Sequence, residues 1–166
     1  MEFDRSRLRP GEWIVGAGSL VLLASTFLLN WYALSGPLAR TASKFLGLST
    51  SVNGWHALSS LRWLIVLTGL AGLGVFYIQA SRRAPALPVS STMIVTVLGL
   101  LTSIALFYRV VIDEPGGYSD IQLRFGAFAG LLSAIAIVVG GYRSLREDGI
   151  APADGPAEIE TVKLGN

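Results

Sequence analysis

The chain contains no cysteine. Disulfides, thiolate metal sites and cysteine nucleophiles are therefore excluded. A single histidine, His56, rules out a histidine-rich metal cluster within one copy. No metal and no cofactor are expected. Charge is scarce as well: 14% of the 166 residues are charged, against roughly 25% in an average globular chain. The 13 basic and 11 acidic residues nearly balance, and no segment gathers Lys and Arg into a stripe. Nothing in that pattern suits a nucleic acid partner. Three catalytic signatures are missing: the phosphate-binding loop with its Lys, the GxSxG elbow and the HExxH zinc motif. No enzyme is expected.

What the chain has instead is apolar length. Hydrophobic residues make up 52% and the mean hydropathy is +0.57. A soluble domain of this size cannot bury so much apolar surface, so the excess must face lipid. Among the stretches that lack Asp, Glu, Lys and Arg, four stand out: Trp13 to Ala39, Trp63 to Ser81, Ala84 to Tyr108 and Phe125 to Tyr142. A helix needs about 20 apolar residues to cross a hydrocarbon layer of roughly 30 Å. Within lipid the backbone must satisfy its own hydrogen bonds, which selects helices. The expected spans are 12–32, 57–81, 89–112 and 119–145. Trp13 and the Trp31–Tyr32 pair are placed at headgroup level, at the two ends of the first span. Pro85 and Pro88 hold the third span back to residue 89. The first span also has the layout of a signal peptide, with Arg5, Arg7 and Arg9 before it. Its length and the bulky Trp31–Tyr32 end favour retention.

The expected fold is an all-α membrane protein: an up-down four-helix bundle over residues 1–146, then a flexible cytoplasmic tail over 147–166. With the N-terminus inside, the inner segments hold Arg5, Arg7, Arg9, Arg82, Arg83, Arg143, Arg146 and Lys163. The outer ones hold Arg40, Lys44, Arg62, Arg109 and Arg124. That excess inside predicts both termini in the cytoplasm. The turns at Arg82–Ser90 and Asp113–Asp120 are short. One larger outer loop, about Ala33 to His56, joins the first two spans.

Three groups of residues stand out. Gly126, Gly130 and Ala134 recur every four residues, and Gly69 and Gly72 make the second span glycine-rich, with Gly74 close by. Such smooth stripes let backbones approach, either within one chain or against a second copy or another subunit. Arg62, Arg109, Asp113, Asp120 and Arg124 collect at the outer helix ends. Arg109 with Asp113, and Asp120 with Arg124, are four apart and suit ion pairs on a helix face. The bland account is snorkelling and pairing; the sharper one is an outward polar pocket for an anionic headgroup or small solute. No carboxylate lies in mid-span, which argues against a proton relay. In the outer loop, Phe45, Leu46 and Leu48 are too apolar for free solvation. They lie on the bundle, on the membrane surface or on a partner. Leu48 to Val52 suits a short strand, and Asn53–Gly54 a turn before a helix starting near Trp55. His56 beside Trp55 reads as a hydrogen-bonding interfacial residue, with heme or pigment ligation as the rarer use.

The segments LLNWYALSG, GWHALSSLRW and RFGAFAGLLSAIAIVVGGYRSLRE together resemble small four-span membrane proteins of actinobacteria and related bacteria. Those carry an FLPWY segment, a Trp at the start of the second helix and a glycine-rich fourth helix ending in basic residues. Asn30 stands here where they have Pro. The resemblance implies a bacterial inner-membrane protein and no particular chemistry. The large loop between two of four spans is similar to claudin-like proteins in layout only, since their paired loop cysteines are absent. The leading expectation is a non-catalytic membrane subunit or scaffold, assembling with itself or a larger complex. The alternative is a lipid- or small-solute-binding or transport protein using the outer arginines. Membrane lipids are expected partners in both.

Overall fold

A computed structural model describes residues 8–46, 49–81, 89–112 and 121–147. The 82–88 turn, the 113–120 turn and the 148–166 tail therefore lie outside the described residues, as do Leu48, Asp113 and Asp120. Four helices are long and apolar enough to cross a membrane: Pro10–Leu28, Arg62–Ser81, Ser91–Ile112 and Phe125–Glu147. Their outer faces carry exposed Leu20, Leu70, Leu101, Ile104 and Leu132, which water would penalise and lipid accepts. The chain is a helical membrane protein.

The first helix, α1 (Pro10–Leu28), starts with proline at a position where no N–H is missed. The Glu12 carboxylate accepts from the Arg9 N–H at 3.0 Å. A strand β1 (Asn30–Leu34) follows, then α2 (Pro37–Leu46), β2 (Ser51–Asn53) and the single turn α3 (Gly54–Ala57). The helix α4 (Arg62–Ser81) leads to α5 (Val89–Phe107), which widens into a π turn over Tyr108–Ile112. A strand β3 (Ile121–Leu123) precedes α6 (Phe125–Glu147). Around the bundle α1 packs on α4, α4 on α5, α5 on α6 and α6 back on α1.

The sheet corrects the all-α expectation. Its order is β2-β1-β3, and both pairings are antiparallel. The first span ends at Leu28 rather than Tyr32, and Asn30–Leu34 turns away as the central strand. The second span starts at Arg62 rather than 57, because α3 and a turn come first. Residues 121–123 are strand, so the fourth span starts at Phe125 rather than 119, and Arg124 precedes the helix rather than lying on its face. The strand expected at Leu48–Val52 overlaps β2. The sheet gathers the end of α1 and the starts of α4 and α6 at one end of the bundle, called here the sheet end.

Trp31 explains why the chain leaves the helix where it does. Asn30 pairs with Asn53 and Tyr32 with Val52, so Trp31 is an extra residue bulged out of the ladder. A bulge re-aims a side chain, and Trp31 is fully buried. The sequence marks it as a ring at the end of the first span; the structure turns it into the core, with Tyr32 beside it almost as deep. Its indole N–H donates to the Ser25 carbonyl at 2.8 Å. Asn53 Nδ2 donates to the Phe27 carbonyl at 3.2 Å. These bonds, with Leu29 N–H on Ser25 O at 3.3 Å, satisfy carbonyls that a helix end otherwise leaves open.

Candidate functional site

The glycine stripe lies inside the bundle. A Cβ added at Gly126 would meet the Asn30 carbonyl oxygen at 2.6 Å and Trp31 at 2.8 Å. One added at Gly130 would strike the Trp31 ring. Ala134 is fully buried one turn on. The same face continues to Gly140, where a Cβ would sit 2.8 Å from the Gly11 carbonyl oxygen. On α4, Gly69 faces Leu23 and Gly72 faces Ser19, while Gly74 has nothing within 4 Å. Apart from Gly74, these small residues therefore serve packing within the chain, and Trp31 occupies the stripe at Gly126 and Gly130, where a partner helix would have to sit.

The three arginines at the sheet end do not meet in one cavity. Arg62 stacks on Trp55 at 5.1 Å and on Trp63 at 5.6 Å. Its Nε is buried without a hydrogen-bond partner among the described residues. Trp55 in turn stacks on Phe27 at 5.3 Å and meets Trp63 edge-on at 5.5 Å. Aromatic rings with a clamped cation are the usual furniture of a membrane boundary. Arg124 is exposed at the other edge of the sheet, where its backbone N–H donates to the Trp31 carbonyl at 2.8 Å. The strand order separates the two: β2 leads through α3 to Arg62, while β3 leads to Arg124.

Arg109 lines a groove of about 570 Å³ together with Ser59, Ser60, Tyr108, Leu58 and Ile104. The groove lies between the α3–α4 turn and the end of α5. Leu58 anchors its wall: it is buried, its N–H donates to Gly54 O at 3.0 Å and its carbonyl accepts from Arg62 N–H at 2.8 Å. Ser59 and Ser60 sit just ahead of α4, where the positive end of the helix dipole favours an anion. The guanidinium, two hydroxyls and the phenol can donate hydrogen bonds, while Leu58 and Ile104 supply an apolar floor. That combination suits the junction between a charged headgroup and a hydrocarbon chain. Sequence reasoning placed Arg109 at this end but missed Ser59, Ser60 and Tyr108. The available signals were the Ser-Ser pair ahead of a span and a Tyr-Arg pair ending one.

His56 is exposed at the start of α3. The Asn53 side-chain oxygen accepts from the His56 backbone N–H at 3.2 Å and lies 2.7 Å from Nδ1. Because the Asn53 amide nitrogen is donated to Phe27, its oxygen must be the acceptor, and Nδ1 carries the proton. Among the described residues no group of His, Asp or Glu is arranged to hold a metal. In the loop, Phe45 is 79% exposed near the end of α2, so it does not rest on the bundle. Leu46 is the last residue of that helix. Comparison with known proteins returns no match: no family model, no curated protein and no solved structure is similar to this chain.

Proposed function

We propose that this chain is a non-catalytic, multi-pass protein of the bacterial cytoplasmic membrane that holds a phosphate-bearing lipid headgroup at its sheet end. In this reading the bundle is up-down, both termini are cytoplasmic and the sheet end faces outward, as the distribution of Lys and Arg favours. The observation that carries the proposal is the groove itself. Arg109 and the start of α4 provide positive charge, and the groove opens beside exposed Ile104 and Tyr108. A phosphate there places its acyl chains along the exposed Leu67, Leu70 and Leu101 surface of α4 and α5.

The competing reading, a subunit assembling with itself or a larger complex, drew on the glycine stripe. With that stripe filled by Trp31, what supports it is the apolar surface of α4 and α5, which lipid covers equally well.

The test is lipid retention. A charge-assisted hydrogen bond contributes roughly 1.5–3 kcal/mol, and about 1.4 kcal/mol is tenfold in affinity. Arg109→Gln is therefore expected to weaken binding of phosphatidylglycerol by about tenfold or more in native mass spectrometry of the detergent-purified protein. Arg124→Gln, at the far sheet edge, is expected to leave it unchanged. Equal binding by a folded Arg109→Gln protein defeats the proposal. Stoichiometric co-purification of other membrane proteins would favour the subunit reading.

A further inference from the structure

We propose that α2 is an interfacial helix that lies in the headgroup layer of the outer leaflet and binds an anionic lipid surface. The reading goes beyond the groove and uses different residues. At 100° per residue, Leu38, Ala42, Phe45, Leu46 and Ala39 fall on one arc of Pro37–Leu46, and Arg40, Thr41, Ser43 and Lys44 on the opposite one. Both charges of this helix are positive, and no acidic residue accompanies them. A short helix with an apolar arc and a basic back is the form that settles at a bilayer surface.

The fold holds α2 at the right level. It is tethered on both sides by the sheet: Ser35 and Gly36 join it to β1, and residues 47–50 lead to β2. Gly36 takes a left-handed φ of 99°, which turns the chain sharply into the helix. The sheet sits on the ends of α1 and α6, and α3, packed on β1 and β2, leads from it to the start of α4. The Phe27, Trp55, Trp63 and Arg62 stack lies at that same end, and aromatic rings of this kind favour the membrane–water interface. A ten-residue helix spans about 15 Å, so α2 cannot leave this level.

Two side chains of the arc, Ala39 and Phe45, differ sharply in exposure. Ala39 is buried against the protein, at 7% exposure, whereas Phe45 is 79% exposed. Of the two described side chains on the arc, one is thus seated on the chain and the other is open. Lys44, next to Phe45, is exposed as well. A second copy of α2 is a poor occupant, since both helices would carry only positive charge. Headgroup phosphates complement both charges, and the acyl region accepts the ring.

The absence of native cysteine makes the test direct. Single spin labels are placed at Phe45→Cys and Lys44→Cys, both exposed, and the proteins are reconstituted in vesicles of phosphatidylglycerol and phosphatidylethanolamine. Collision rates are measured with oxygen, which partitions into lipid, and with a nickel chelate, which stays in water. Oxygen is expected to dominate at position 45 and the nickel chelate at position 44. Nickel dominance at both positions would overturn the proposal by placing the helix in water. Shielding from both reagents at position 45 would overturn it by placing protein there. Either failure is separable from that of the groove, because Arg109→Gln does not touch α2.

Discussion

Gly130 and Gly74 differ in what stands opposite them. At Gly130 any side chain meets the buried Trp31 ring, and at Gly74 there is open space. Gly130→Ala is therefore expected to cost about 1–3 kcal/mol through overpacking. Gly74→Ala is expected to gain about 0.5–1 kcal/mol, because alanine has less backbone freedom to lose in a helix. Thermal unfolding of the two variants in detergent should shift the midpoint in opposite directions, and parallel shifts would contradict the packing described. The small-residue spacing was legible in the sequence because a four-residue repeat survives any rotation of the helix. Its occupant was not. Trp31 at the end of an apolar run matches a boundary residue by type, and only the bulge opposite Asn53 and Val52 sends it inward.

Among the elements, α4 and α5 are joined by a polar tie in the middle of the apolar layer. Thr68 Oγ1 and Thr102 Oγ1 are 2.7 Å apart and buried, and Thr68 also donates to the Leu64 carbonyl at 2.8 Å. That local bond means the cross-helix one adds little. A double-mutant cycle of Thr68→Val and Thr102→Val is expected to give a coupling of about 0.6 kcal/mol, the average for such bonds within membranes. A coupling of zero would mean the hydroxyls are satisfied only within their own helices. The helices themselves were legible from charge-free runs, and Pro88 marked the start of α5 at Val89. The strands were not, apart from the overlap with β2. Asn30–Leu34 and Ile121–Leu123 are apolar enough to read as more helix, and strands of three to five residues are too short to display alternation. The same cause hid the groove: with 57–61 taken as helix, Ser59 and Ser60 had no turn from which to face Arg109.

For the molecule as a whole, the proposed orientation, drawn from the distribution of Lys and Arg, puts the sheet end outside and both termini in the cytoplasm. Single cysteines at Lys44→Cys and Arg146→Cys separate the two orientations. On intact cells an impermeant thiol reagent is expected to label position 44, and to reach position 146 only after permeabilisation. The reverse pattern would turn the groove toward the cytoplasm and the inner leaflet.

The sheet also imposes an order on synthesis. Its central strand leaves the ribosome soon after the first helix, but one of its two partners, Ile121–Leu123, emerges just before the last helix. Until then β1 has an open edge, and Trp31 lacks the glycine face that covers it. A product cut short before α6 would keep that edge and that ring on display, features that make unfinished chains prone to aggregate. The topology thus makes the sheet end the last part to close: β1 gains its second edge partner only when the chain reaches β3, immediately ahead of the last helix.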